Sequence, residues 1–557
     1  MTASLLPTFA VSAPGKVIIF GEHAAVYNKP AIAAALSLRT YLYVTPNDLA
    51  TDNVIRLEFP DVGLKFECPT ASLPWHLVQK LDDTPPGSRP SSASSSSTSS
   101  TAAAQSLDEL NLDEHIVSEL HNILKPKTTN SFQYAALLAF FYLYLHICDP
   151  STPAHTFVTK STLPVGAGLG SSATYAVCLS TAFLTLTQQL SIPTVEEEPP
   201  LSRAPTHEDK NNIENVFEKA ASDLLSTPPI TPTLESSSSS SSNKIDGSST
   251  SPSATTDATV TEAARATAAA ALASTTSVLC LGNADHDLIN KWSYIGEKCL
   301  HGNPSGIDNT VACRGGAVLF QRPSTLIPMK RFPALKLLLT NTKHPRRTKD
   351  LVARVGDLYE TFQSGTQSIL DAIEHVTQEA FVLLGSAERT SETSHTDVSG
   401  SNTPSKKTGL ALPVKTVGES PDAVKRLLQL IRINHGLLVS LGVSHPKLEK
   451  VKSIGDQLHI GETKLTGAGG GGCAITLLHV DDVENDTESA AATIDERLDE
   501  FRARLENTKN GFEIFETVLG GPGVGLATGL DVAHFSHDEF LSLNRAQLEG
   551  FDWKYWG

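Results

Sequence analysis

Basic runs are missing from this chain. It carries a formal net charge of −17 over 557 residues without a Lys/Arg-rich stretch, which argues against a nucleic-acid or anionic-membrane partner. Its seven cysteines are odd in number and lack Cys-x-x-Cys spacing, so neither a disulfide framework nor a zinc site is indicated. A reducing, cytoplasmic setting is the expectation. No charged segment followed by an apolar one opens the chain, so no secretory leader is expected. The most apolar run, residues 135–148, is too short to cross a bilayer and reads as a buried helix. Familiar catalytic signatures are also missing. No Gly-x-Ser-x-Gly elbow is present, and the glycine motif at 163–173 has neither the Walker A lysine nor the spacing of a protein-kinase loop or a dinucleotide fingerprint.

What is present is glycine in dense, placed clusters. Residues 163–173 read Leu-Pro-Val-Gly-Ala-Gly-Leu-Gly-Ser-Ser-Ala, between a strand-like run at 157–160 and a helix-like one at 173–190. Glycines there let the backbone turn tightly and aim N–H groups at an anion. The helix that follows adds the free N–H groups and positive dipole end of its first turn. Gly166, Ala167, Gly168, Leu169, Gly170, Ser171 and Ser172 therefore form a candidate polyphosphate cradle, the serines being able to cap the helix or ligate Mg²⁺. A plain glycine-rich turn is the alternative.

Two further segments support the cradle. Residues 11–26 read Val-Ser-Ala-Pro-Gly-Lys-Val-Ile-Ile-Phe-Gly-Glu-His-Ala-Ala-Val, placing Lys16 early in a β-rich run with Glu22 and His23 in the turn beyond. Residues 464–478 read Lys-Leu-Thr-Gly-Ala-Gly-Gly-Gly-Gly-Cys-Ala-Ile-Thr-Leu-Leu. So dense a glycine run costs backbone entropy on folding, which close backbone approach to a ligand would explain.

Together these segments resemble the GHMP kinases, named for galacto-, homoserine, mevalonate and phosphomevalonate kinases. The resemblance covers most of the chain. The stretches at 294–309 (Tyr-Ile-Gly-Glu-Lys-Cys-Leu-His-Gly-Asn-Pro-Ser-Gly-Ile-Asp-Asn), 339–348 (Leu-Thr-Asn-Thr-Lys-His-Pro-Arg-Arg-Thr) and 440–445 extend it, and the first two point to the mevalonate-phosphorylating branch. Galactokinases would carry Thr-Asp after Gly-Glu-His, where this chain has Ala24 and Ala25. A phosphomevalonate kinase would need more basic residues around its acceptor. A non-catalytic sensor could lose any of Lys16, Ser172, Glu297 and Asp308, yet all four are present.

Residues of about 84–106, 226–277 and 385–420 are rich in Ser, Thr, Ala and Pro and cannot bury enough apolar surface to offset ordering entropy. They are expected to be disordered inserts. The remaining strands and helices do not alternate regularly, so the class is α+β. Strands are expected at 8–20, 38–45, 316–320, 335–340, 472–479 and 513–519, with a hairpin over 54–67. Helices are expected at 107–124, 132–148, 209–225, 285–300, 349–384 and 421–441. The resemblance implies a ribosomal-protein-S5-like domain over 1–330, with a left-handed crossover, and a ferredoxin-like domain over 331–557.

The resemblance also implies roles. ATP is the co-substrate, mevalonate the acceptor, and Mg²⁺ is held by Ser172 and Glu297. From spacing alone Glu297 reads instead as an exposed helix carboxylate paired with Lys298 or Lys291. Asp308 aligns with the catalytic aspartate and Lys16 with the active-site lysine that keeps it ionised and contacts nucleotide; without the resemblance, Asp308 is equally a turn or cap residue. Ser161 maps to a nucleotide contact, and Glu22, His23, Arg346 and Thr348 to the acceptor side. Gly467, Ala468, Gly469, Gly470 and Gly471 would buttress the cradle. Asp61 departs from the usual Asn at a base-side contact. His301 reads as structural. A homodimer, and feedback inhibition by prenyl diphosphates competing with ATP, are further implications.

Overall fold

Two long strands, β1 (Phe9–Phe20) and β2 (Ala31–Pro46), form the centre of the structure. It is a computed structural model, describing residues 7–47, 53–78, 111–164, 166–191, 193, 284–321, 325–329, 332–385, 421–479, 489–506 and 511–556. The inserts at 84–106 and 226–277, all but Gly385 of that at 385–420, the expected helix at 209–225 and the expected boundary at 330/331 lie outside the described residues. All described residues belong to one unit, built from Met1–Pro200 and Ala284–Gly557.

β2 is the hub of the sheet. Besides β1 it pairs with β6 (Ala317–Gln321) through Ala31–Ala34 and with β5 (His155–Ser161) through Thr40–Pro46. Between them Leu36 meets Leu519 of β11 (Glu513–Leu519). Nearly every β2 residue is buried, as expected of a strand covered on both faces. It begins seven positions before the expected strand at 38, because its alanine-rich start lacks the β-branched signal. From β11 the sheet continues antiparallel through β8 (Leu335–Asn341), β10 (Cys473–Leu478) and β9 (Gly461–Leu465). The hairpin of β3 (Val54–Phe59) and β4 (Leu64–Pro69) joins β5 by parallel pairing, and β7 (Thr325–Met329) pairs with β6. On the other side of β1 lie β12 (Gly525–Thr528) and β13 (Lys554–Tyr555).

Helices α1 (Glu114–Leu124), α2 (Ser131–Ile147), α3 (Ser171–Leu186), α4 (Ala284–His301) and α5 (Ile307–Arg314) supply the first half of the fold. The core there is aromatic: Phe140 lies 5.0 Å from Phe157 and 5.1 Å from Phe183, both edge-on. Ala136–Leu145 of α2 are all buried, and no helix among the described residues is long and apolar enough to cross a membrane. In the second half, α6 (Thr348–Thr361), α7 (Gln363–Gly385), α8 (Pro421–Ser440), α9 (Pro446–Leu458) and α10 (Ser489–Glu506) follow β7. They share a second core around Leu338, Val355, Leu370, Val451 and Phe501.

Two details bear on the site. The single helix expected over 349–384 is broken at Phe362, which is exposed and has φ −130° and ψ 58°. Arg39 is buried in the middle of β2 and donates to Ser12 Oγ, the Ser12 carbonyl, the Pro522 carbonyl and the Gly523 carbonyl. These bonds pin the 520–523 turn to the central strands.

Candidate active site

Lys16 lies where β1 slips register against β2, between Pro14 and Lys16. Such irregularities re-aim a side chain. Its backbone N–H donates to the Leu169 carbonyl at 2.8 Å, tying the strand to the first glycine loop. In that loop Gly166, Gly168 and Gly170 have φ of 72°, 77° and 79°, the left-handed region that glycine enters without steric cost. Gly170 caps α3, so the first N–H groups of that helix have no partner within it. Gly306, at φ 78°, caps α5 in the same way and sets Asp308 in its first turn.

These pieces converge. Lys16 Nζ meets Asp308 Oδ1 at 3.0 Å. A Cβ placed on Gly170 would stand 3.3 Å from Lys16 Cγ and 3.7 Å from Asp308 Oδ2. In the first turn of α3, the Ser172 hydroxyl donates to Glu297 Oε1 at 2.8 Å. Glu297 is buried, not the exposed carboxylate that its spacing suggested. Burial first, then the Asp308 charge, push its carboxyl up to about 7, while Ser172 and Lys16 pull it down. Asn309 donates to Asn290 Oδ1 at 2.7 Å, fixing α5 to α4 and so Asp308 relative to Glu297.

The second glycine loop is held by protein backbone. Gly470 N–H donates to the Val443 carbonyl at 2.8 Å and Gly472 N–H to the His344 carbonyl at 3.1 Å. A Cβ on Gly469 would lie 2.1 Å from the Val443 oxygen, and one on Gly471 2.8 Å from that of His344. Close approach to other backbone therefore accounts for much of this run, where the sequence suggested approach to a ligand. Arg346 joins the two loops. Its guanidinium donates to the Thr466 carbonyl and to the Ala167 carbonyl, each at 3.1 Å. An added Cβ on Gly168 would coincide with its Nη2, at 1.4 Å.

The structure joins Glu22 and His23 to the second half of the chain. Glu22 is wholly buried, paired with Lys464 Nζ and accepting from Asn434 Nδ2 at 3.0 Å. Burial pulls the Lys464 ammonium below its ordinary value, and Glu22 opposes the shift. His23, at φ 61°, bonds the Ala468 carbonyl through Nε2 at 2.9 Å. Thr348 starts α6, exposed, two residues past Arg346. Ser161 Oγ lies 3.1 Å from Thr40 Oγ1, which lies 2.6 Å from Thr174 Oγ1 in α3. Burial pushes the Asp61 carboxyl above its ordinary value, and the Ser161 backbone and Lys160 oppose the shift. Lys464 and Asn434 carried no role in the sequence reading; a lysine at an inward position just before a glycine loop was the available signal.

Two substitutions separate backbone strain from close approach. Gly166→Ala meets no atom within 4 Å, so it should cost only the left-handed penalty, about 1–2 kcal/mol. Gly469→Ala carries the same penalty plus the collision with Val443 and should destabilise well beyond it. Equal losses in urea-unfolding free energy would remove the close-approach account.

Comparison with known proteins shows the family. GHMP kinases N terminal domain matches residues 130–198, and GHMP kinases C terminal matches 422–502. The mevalonate kinase of Candida albicans is 38% identical, over 99% of this chain and 100% of its own length. The chain belongs to the mevalonate kinase family. The Gibberella zeae mevalonate kinase is 34% identical over 94% of this chain and 78% of its own. The crystal structure of the Methanococcus jannaschii mevalonate kinase is 17% identical, covering 93% of this chain and 99% of its own, with a TM-score of 0.49. As a member of this family the chain is an enzyme, a kinase of the GHMP group.

Kinases of this group act on a nucleotide, and the oxygen atoms around α3 suit the cation that accompanies one. Mg²⁺ takes oxygen ligands, few of them from protein. Ser172 Oγ and Glu297 Oε1 offer two, 2.8 Å apart. A carboxyl held up to about 7 by burial and a neighbouring carboxylate is one whose ionised form a cation would favour.

Proposed function

We propose that this protein transfers the γ-phosphoryl group of ATP to (R)-mevalonate, giving 5-phosphomevalonate for isoprenoid and sterol synthesis. The observation that carries this reading is the Lys16–Asp308 pair at 3.0 Å, beside the glycine cap of α3. Phosphoryl transfer has a loose transition state, so catalysis rests on positioning and on stabilising charge. The N–H groups of the 166–172 loop hold the phosphates, with Ser161 on the nucleotide side. Ser172 and Glu297 hold Mg²⁺, which when bound neutralises charge on the phosphate oxygens.

Asp308 orients the acceptor hydroxyl and takes its proton, while Lys16 keeps that carboxylate ionised and offsets charge on the moving group. Gly467–Gly471 back the cradle, with Arg346 clasping both loops and Thr348 at the acceptor side. Glu22 acts through position, carrying His23 toward the same end. Prenyl diphosphates offer the same diphosphate group to the cradle and should compete with ATP. An ADP-release assay with mevalonate, galactose and homoserine tests the assignment: turnover should require mevalonate and Mg²⁺. Equal turnover with either other alcohol would overturn it.

A further inference from the structure

Glu297 and His301 stand four residues apart on one face of α4. Both reach the same atom. Ser172 Oγ is 2.8 Å from Glu297 Oε1 and 2.8 Å from His301 Nε2. A serine hydroxyl has one proton to give and two lone pairs, whereas an imidazole nitrogen can accept or donate. The hydroxyl therefore has two competing partners at equal distance, one of them the carboxylate assigned to the cation.

We propose that His301 is a positioning residue for the Ser172 hydroxyl, an inference that rests on the Mg²⁺ reading above. By taking up the Ser172 proton in a hydrogen bond, it would leave Glu297 Oε1 free of that donor and turn the Oγ lone pairs away from the imidazole, so that both residues could serve a cation. Its location suits that role better than a packing role. His301 is exposed and ends its helix, and Gly302, at φ 77°, follows in the left-handed region. Its side chain belongs to none of the buried cores, so removing it leaves no cavity that would unfold the protein.

The test uses the full-length enzyme and direct binding of a non-hydrolysable ATP analogue, followed by calorimetry with and without Mg²⁺. In EDTA, His301→Ala should bind the analogue as wild type does. With Mg²⁺ titrated in, the concentration giving half-maximal tightening should rise about tenfold or more, the usual cost of losing a group that orients a metal ligand. His301→Gln, which places an amide nitrogen or oxygen near the lost Nε2, should recover most of that shift. In kinetics, the apparent KM for Mg²⁺ should rise while kcat at saturating Mg²⁺ stays near wild type. An unmoved Mg²⁺ midpoint in His301→Ala would overturn the inference, as would an equal loss of affinity in EDTA, which would mark a structural role. Wild-type binding that ignores Mg²⁺ would instead overturn the metal reading beneath it.

Discussion

Asp308→Asn is expected to lower kcat by about 10²–10⁴-fold, the range for removing a positioned general base, while ATP affinity stays near wild type. The reasoning is geometric. Asp308 touches Lys16, whereas the turns of the 166–172 loop rest on the left-handed conformations of Gly166, Gly168 and Gly170. Lys16→Met should also cut kcat, and it should weaken ATP binding as well, because its side chain runs beside Gly170 of the cradle before its ammonium meets the carboxylate. Single-turnover kinetics with separate equilibrium binding distinguish the two. An Asp308→Asn enzyme that turns over at the wild-type rate would remove the proposed base.

The second large effect falls on stability. Lys464→Met leaves Glu22 buried without its cation, and breaking one partner of such a pair costs about 3–5 kcal/mol. The pair is completely enclosed, with neither side chain exposed. Glu22→Leu with Lys464→Met together should restore much of the loss, because two apolar side chains leave no unpaired charge. Chemical unfolding of the two single variants and the double variant measures the coupling. Additive losses would show that the pair is not a unit. The double variant should still be a poor enzyme, since Glu22 anchors the turn that carries His23 to the second glycine loop.

Much of this site was legible because its parts are local. Three glycines at alternate positions, followed by a serine pair, announce left-handed turns and a helix start, and the loop takes that form. The apolar run at 135–148 and the β3–β4 hairpin followed from composition and spacing alone. Lys16 and Asp308 are remote in sequence, and no periodicity brings them together; only the resemblance did. β9 was invisible for a physical reason. Its residues, Gly-Glu-Thr-Lys-Leu, bury Thr463 and Lys464, polar groups that pattern reading assigns to the surface. The break at Phe362 carried only an offset mark, the Ser364-Gly365 pair two residues on, inside an otherwise continuous helical pattern. α9 did carry its signal: Pro446 sits at the first helical position, behind a His445 cap.

The Glu22 result shows where motif reading stops. Its place beside His23 suggested a group facing the acceptor, yet both its oxygens are taken, by Lys464 and Asn434. Arg346 differs in the same sense, with its guanidinium bound to the carbonyls of both glycine loops. In each case the residue type was informative, and the partner that fixes its role came from a distant part of the chain.

A crystal structure with Mg²⁺, a non-hydrolysable ATP analogue and mevalonate is the most direct measurement of the central claim. The account predicts the terminal phosphate at the head of α3, with the acceptor hydroxyl within hydrogen-bond reach of Asp308 and Lys16 beside both. A terminal phosphate bound away from the 166–172 loop, or an acceptor hydroxyl beyond the reach of Asp308, would contradict it.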